Sequence, residues 1–283
     1  MGGMPEATRP AGDRPEPLLD VRHLDVDLIA SGRGVPILSG ISFQIARGAI
    51  TGLFGESGCG KTTLAFALLR LLPVQYRVRG SIRLAGRELL SLAERPLETV
   101  RGAAIAFIFQ DPLLSLNPVL RAGDQVAEVL RAHGRPRTAA DVDALLEMAG
   151  LPAHRVRRAY PHQLSGGQRQ RVAIAQALAC RPPLIVADEP FSAVDTTLVA
   201  DLTALFRRLR DELGTSFLLI SHSPGVLART AGQVLVMDRG RIVESGDARQ
   251  LFRHPSHPYT AALLRDLPRL PPGPAEGQGP LHE

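Results

Sequence analysis

The densest chemistry in the chain lies in Gly55-Glu56-Ser57-Gly58-Cys59-Gly60-Lys61-Thr62. Glycines at 55, 58 and 60 let a backbone curl until its N–H groups converge on one point, which suits phosphate oxygens. Lys61 is the only lysine in the sequence; every other basic residue counted is arginine. A compact ammonium at that position fits the β- and γ-phosphates of a nucleotide. Thr62 offers a hydroxyl to Mg²⁺, and Thr63 completes the nucleotide-binding set. The spacing GxxxxGK[ST] therefore predicts a triphosphate site, provided a strand precedes it and a helix follows.

Two further clusters supply what hydrolysis needs. Leu184-Ile-Val-Ala-Asp-Glu189 is an apolar run ending in two acids. Burying the run puts the acids at the carboxyl edge of a sheet, where α/β proteins bind ligands. On a strand neighbouring the phosphate loop, Asp188 fits a role in holding Mg²⁺ and Glu189 fits a general base for the attacking water. Ser165-Gly166-Gly167-Gln168 opens the apolar run VAIAQALA. Ser165 suits an N-cap, yet two glycines weaken a helix start and make sense where backbone approaches an anion closely. Cys59 is a small residue that the loop tolerates; a thiol protected by bound nucleotide is the alternative.

These residues need elements to position them. Residues 18–28 alternate like a strand, and 37–47 carry a second strand-like stretch. AITGLF, bounded by glycines, predicts a buried strand before the loop. The helix after it is expected to stop at Pro73. AIAFIF (104–109) predicts another buried strand. From Asp111 to about Arg181 the pattern is helical throughout. Strands resume at 183–188, 216–221 and 233–238, with a helix over 197–213, and RGRIVESGD predicts a final hairpin. Strand–helix alternation points to an α/β parallel-sheet core.

Composition bounds the rest. The chain has 283 residues, of which 45% are apolar, enough for one large domain with a subdomain. No apolar run is long enough to span a bilayer, and the polar, Pro-rich start lacks a secretory h-region. Residues 1–17 are expected to be a disordered tail and the stretch from Pro268 to be loose. Two cysteines make no disulfide framework and suit a reducing compartment. The net charge of +5 is spread along the chain, so no nucleic-acid partner is expected.

LSGGQ followed by RQRVAIAQAL resembles the signature motif of ABC ATPases. Together with the phosphate loop and Asp188-Glu189, the resemblance covers residues 18–250. It implies a P-loop NTPase core (18–112 and 182–250) with a parallel or mixed sheet and an inserted helical subdomain (about 113–181). It implies ATP and Mg²⁺ as cofactors. Gln110 resembles the Q-loop glutamine that touches Mg²⁺-ATP, Ser192-Ala-Val-Asp195 the D-loop, and His222 the switch histidine at the γ-phosphate. It also implies a head-to-tail pair, with each ATP between one subunit's phosphate loop and the other's Ser165–Gln168. One position departs: Leu28 stands where the family stacks an aromatic on adenine, and no Phe or Tyr precedes Phe43.

Two stretches resemble the oligopeptide/dipeptide/nickel importer ATPases: QDPLLSLNP from Gln110, and LFRHPSHPYT from Leu251 within a C-terminal extension over 251–283. That resemblance implies a peripheral subunit at the cytoplasmic face of a bacterial inner membrane. Its partners would be two transmembrane permeases, a second ATPase subunit (identical or, as favoured, paralogous), and indirectly an extracytoplasmic solute-binding protein. With no cysteine after Cys180, no iron–sulfur cluster is expected. One other class stays open, a non-transport ABC ATPase, as in phosphonate breakdown; a module that holds ATP without hydrolysing it is disfavoured by the presence of Glu189 and His222.

Overall fold

The computed structural model describes residues 16–111, 115–192 and 196–265. The first sheet is antiparallel. β1 (Leu19–Ala30) buries Leu19, Val21, Leu24 and Val26. It turns through Ser31-Gly32, both at positive φ, into β2 (Arg33–Ile45). Two residues in that conformation match the right-handed twist of a tight hairpin. On its other edge β1 pairs with β4 (Tyr76–Leu84), which pairs with the short β5 (Arg87–Glu88).

The second sheet has the order β10-β9-β3-β8-β7-β6. Its members are β3 (Ile50–Phe54), β6 (Ile105–Ile108), β7 (Leu184–Asp188), β8 (Ser216–Ile220), β9 (Gln233–Asp238) and β10 (Arg241–Asp247). All pairings are parallel except that of the edge strand β10, which forms the expected hairpin with β9. Every residue of β3, β7 and β8 is buried, so both faces are covered. Alternation divides the faces. Leu184 and Val186 join Leu218 and Ile220 beneath α1 (Lys61–Leu68) and the first sheet. Ile185 and Ala187 join Phe217 and Leu219 in the core covered by the remaining helices.

Between β6 and β7 the described residues carry helices and no strand. These are α3 (Ala122–Ala132), α4 (Ala139–Met148), α5 (Ala153–Val156) and α6 (Gly166–Leu178), after α2 (Glu94–Glu98) on the preceding connection. Val126, Leu130, Val142, Leu146, Val172 and Ile174 tie this block to the second core. The later helices are α7 (Thr196–Leu213), α8 (Pro224–Thr230), α9 (Ala248–Arg253) and α10 (Pro258–Arg265). No described helix is long and apolar enough to cross a membrane.

Two local expectations are corrected. α1 ends at Leu68 rather than at Pro73. Arg70 takes a left-handed φ of 51°, which reverses the chain, and its guanidinium donates to the carbonyls of Leu89 and Leu92. The acids at the end of β7 are not on a strand adjacent to β3 and its phosphate loop, because β8 lies between β7 and β3. The tails at 1–15 and 266–283 lie outside the described residues.

Candidate active site

Three strand ends converge. The loop after β3 carries Gly55–Thr62, β7 ends in Asp188 followed by Glu189, and β8 leads to His222. The sheet order makes β8 the shared neighbour of the other two. The loop is seated on the β9–β10 hairpin. The Cys59 carbonyl accepts from Gly240 N at 2.9 Å. A Cβ at Gly55 would lie 2.3 Å from Met237 O, so only glycine allows this approach. Gly60, at φ 109°, opens α1.

Lys61 is 8% exposed. Its Nζ donates to the carbonyls of Gly55 at 2.8 Å and Glu56 at 2.7 Å. The buried ammonium is thus satisfied by the loop that would hand it to a phosphate. Thr62 Oγ1 donates to Asp188 Oδ2 at 2.7 Å. Asp188 is 5% exposed, and burial is the main cause that pushes its carboxyl above the ordinary range. Thr62 and Lys61 work against that rise and the Glu189 charge adds to it. A hydroxyl and a carboxylate in contact are hard oxygen donors that fit Mg²⁺.

Glu189 has a φ of 46°, unusual for a residue with a side chain. Its N–H donates to Ile220 O at 3.0 Å, and its carbonyl accepts from Ser192 N and Oγ. These bonds fix the turn and aim the carboxylate at β8. There Glu189 Oε1 accepts from His222 N at 3.0 Å and lies 2.9 Å from His222 Nδ1. Glu189 is 8% exposed while the His222 side chain is 66% exposed. The imidazole therefore stands at the rim, anchored to the acid beneath it.

Gln110 is exposed. Its carbonyl accepts weakly from Ser192 Oγ at 3.5 Å. Among the described residues no hydrogen bond joins its side chain to Thr62 or Asp188. Residues 112–114 and 193–195, including Asp195 of the predicted D-loop, lie outside the described residues. Ser165 caps α6 in a reciprocal box: Gln168 N donates to Ser165 Oγ at 3.2 Å, and Ser165 N donates to Gln168 Oε1 at 3.0 Å. No hydrogen bond or ion pair among the described residues links 164–168 to 55–63.

The sequence reading missed one tyrosine. Tyr76 stands directly opposite Leu28 in the β1–β4 register, so the two side chains share a face. Its signal was hidden because β4 was not foreseen.

Comparisons with known proteins identify the family and the fold. A family model described as "ABC transporter" matches residues 38–192. A second, "Oligopeptide/dipeptide transporter, C-terminal region", matches residues 243–281. The chain is 45% identical over 258 residues to a protein of Sinorhizobium fredii named a probable peptide ABC transporter ATP-binding protein, covering 89% of this chain and 77% of that one. It is 43% identical to the oligopeptide transport ATP-binding protein OppD of Salmonella typhimurium, covering 92% and 80%. Among solved structures it resembles the dimeric ATP-binding cassette MJ0796 bound to ADP and Pi. The TM-score is 0.72 at 25% identity, over 82% of this chain and 99% of that one.

Proposed function

The chain belongs to the ABC transporter family of ATP-binding proteins, and from that premise we propose that it is the ATP-hydrolysing motor of a bacterial oligopeptide or dipeptide importer. One observation carries the reading. The same chain joins the phosphate loop, the Asp188-Glu189 strand end and the Glu189–His222 contact to a C-terminal region matching that of oligopeptide/dipeptide transporters.

In this reading residues 55–63 bind the triphosphate of ATP, with Lys61 moving from its carbonyl partners to phosphate oxygens. Thr62, Asp188 and Gln110 would hold Mg²⁺, which would supply positive charge against the triphosphate. Glu189 accepts a proton from the attacking water, and His222 orients the acid and meets the γ-phosphate. Ser165, Gly166, Gly167 and Gln168 complete the site of a second subunit, by their helix N-terminus and small residues. The dimeric state of the solved relative and the separation of 164–168 from the chain's own phosphate loop support that pairing. The block of helices from 115 to 181 forms the lever between ATP and two permease subunits. The protein works at the cytoplasmic face of the membrane as a peripheral subunit.

Purification of the chain from its native cells in mild detergent, with mass spectrometry of what accompanies it, tests this. Two multi-pass permeases, with or without a second ATPase, are the expected partners. Soluble enzymes alone would overturn the transport reading and leave the ATPase standing.

A further inference from the structure

Residues 115–181 hold ten arginines and five acidic residues. That excess of five equals the net charge of the whole chain, +5, so the positive charge sits on the helical block and is not spread along the chain as the sequence reading expected. Folding then gathers four of these arginines from three places. Arg121 is the residue before α3, Arg137 stands just before the Thr138 cap of α4, and Arg157 and Arg158 follow α5. All four line one cavity of about 300 Å³.

Backbone contacts fix this arrangement. Ala122 N donates to Ala159 O at 2.9 Å and Gly123 N donates to Arg157 O at 3.0 Å, so segment 157–159 lies across the start of α3. A Cβ at Gly123 would come within 2.3 Å of Arg157 Cγ and 2.8 Å of Arg157 O, so glycine makes the close approach possible. Arg157 is partly neutralised, with Nε 3.1 Å from Asp143 Oδ1. Arg121 sets its guanidinium 5.7 Å from the centre of the Tyr160 ring, which stacks on His162. Among the described residues no acid forms an ion pair with Arg121, Arg137 or Arg158. Asp124 is the one acid in the cavity wall.

Like charges around one cavity repel, and an anion seated among them turns that repulsion into attraction. Each guanidinium offers a planar fork of N–H donors that can hold two oxygens at once. A phosphate has enough oxygens to serve several forks together, where a carboxylate has two. The geometry points to this cavity as a binding site for a phosphate-bearing anion, the headgroup of an acidic membrane lipid being the source that a peripheral subunit meets. The choice of source rests on the membrane-face reading above; the phosphate chemistry does not. Clusters of basic residues are drawn to anionic lipid surfaces by the same charge that would seat one headgroup here.

The test uses the full chain and vesicles of phosphatidylglycerol in phosphatidylcholine, with glycerol 3-phosphate as the soluble probe. Arg137→Ala with Arg158→Ala removes two exposed arginines that hold no ion pair, so the fold should stand. Arg33→Ala with Arg47→Ala removes the same charge from exposed positions on the first sheet and serves as the control. Co-sedimentation with the anionic vesicles should weaken roughly thirtyfold in the first pair and less than threefold in the second. Glycerol 3-phosphate binding that is lost in the first pair, with no vesicle binding, would keep the phosphate site and make its ligand a soluble one. Equal losses in the two pairs would overturn the inference, because diffuse charge would then explain the binding. A wild-type chain that binds neither probe would overturn it as well. Absence of permeases from the native-cell purification would strike the transport reading instead, and the vesicle experiment does not depend on them.

Discussion

Glu189→Gln is the sharpest test of the hydrolytic reading. Glu189 Oε1 accepts two hydrogen bonds from His222, one from the backbone N at 3.0 Å and one involving Nδ1 at 2.9 Å. A glutamine carbonyl oxygen can accept both, and the backbone bonds to Ile220 and Ser192 do not involve the side chain. The geometry around His222 is therefore kept while the proton acceptor is lost. A positioned general base contributes roughly 10²–10⁴-fold, or about 3–5 kcal/mol of barrier. Turnover measured by phosphate release should fall by that factor, and ATP should now hold the subunits together on a sizing column. Since the two side chains touch, the loss from His222→Ala should shrink sharply when it is made in the Glu189→Gln background. Turnover within tenfold of wild type, or fully additive losses, would refute Glu189 as the base acting with His222.

Further outcomes follow from other contacts. Burial raises the Asp188 carboxyl in the folded protein, so the native state keeps a proton that the unfolded chain releases near its ordinary value of 3.8. Stability from this group is therefore lost as pH rises through that window, and the loss persists above it. Asp188→Asn should then melt at a higher temperature than wild type at pH 7 without nucleotide, with the gap closing under acid; an equal or lower midpoint in calorimetry would contradict this. Ser165→Ala removes a cap and should cost about 1 kcal/mol, whereas Ser165→Gly should cost a few tenths. If Ser165 also meets a partner's nucleotide, both variants lose ATP-driven pairing; a glycine variant with wild-type turnover would leave Ser165 a cap only. Tyr76 shares a face with Leu28, where the family carries an adenine-stacking aromatic. Tyr76→Ala should weaken ATP binding about tenfold, within the range of a base–aromatic stack, and leave tripolyphosphate binding unchanged; equal weakening of both ligands would count against Tyr76 as the stacking residue.

The site residues were legible because each belongs to a short segment whose backbone needs are local. A phosphate loop must have glycines where chain curls and a lysine at its end, and a doubly covered strand must be an unbroken apolar run, so residues 50–62 and 184–189 announce themselves. Resemblance to ABC ATPases added Gln110, Ser165 and His222, which spacing alone would have left as a loop polar residue, a helix cap and a lone histidine. β4 escaped notice because its arginine-rich stretch, YRVRGSIRL, has one face exposed and a glycine in the middle, which dilutes the alternation. The helix after the phosphate loop was read too long because Arg70, not the more conspicuous Pro73, turns the chain.

By itself, then, the sequence determined which side chains are available for chemistry: a lysine and glycines suited to phosphate, oxygen donors suited to a divalent cation, and a carboxylate suited to accept a proton. Those demands act over a few neighbouring residues and leave a pattern. Only the tertiary structure decided which of these groups meet. Strand order is chosen by burying both faces of a sheet at once, a demand that no single segment records. That choice set β8 between β3 and β7, joined Glu189 to His222, and brought Phe252 back to Phe54, the residue before Gly55.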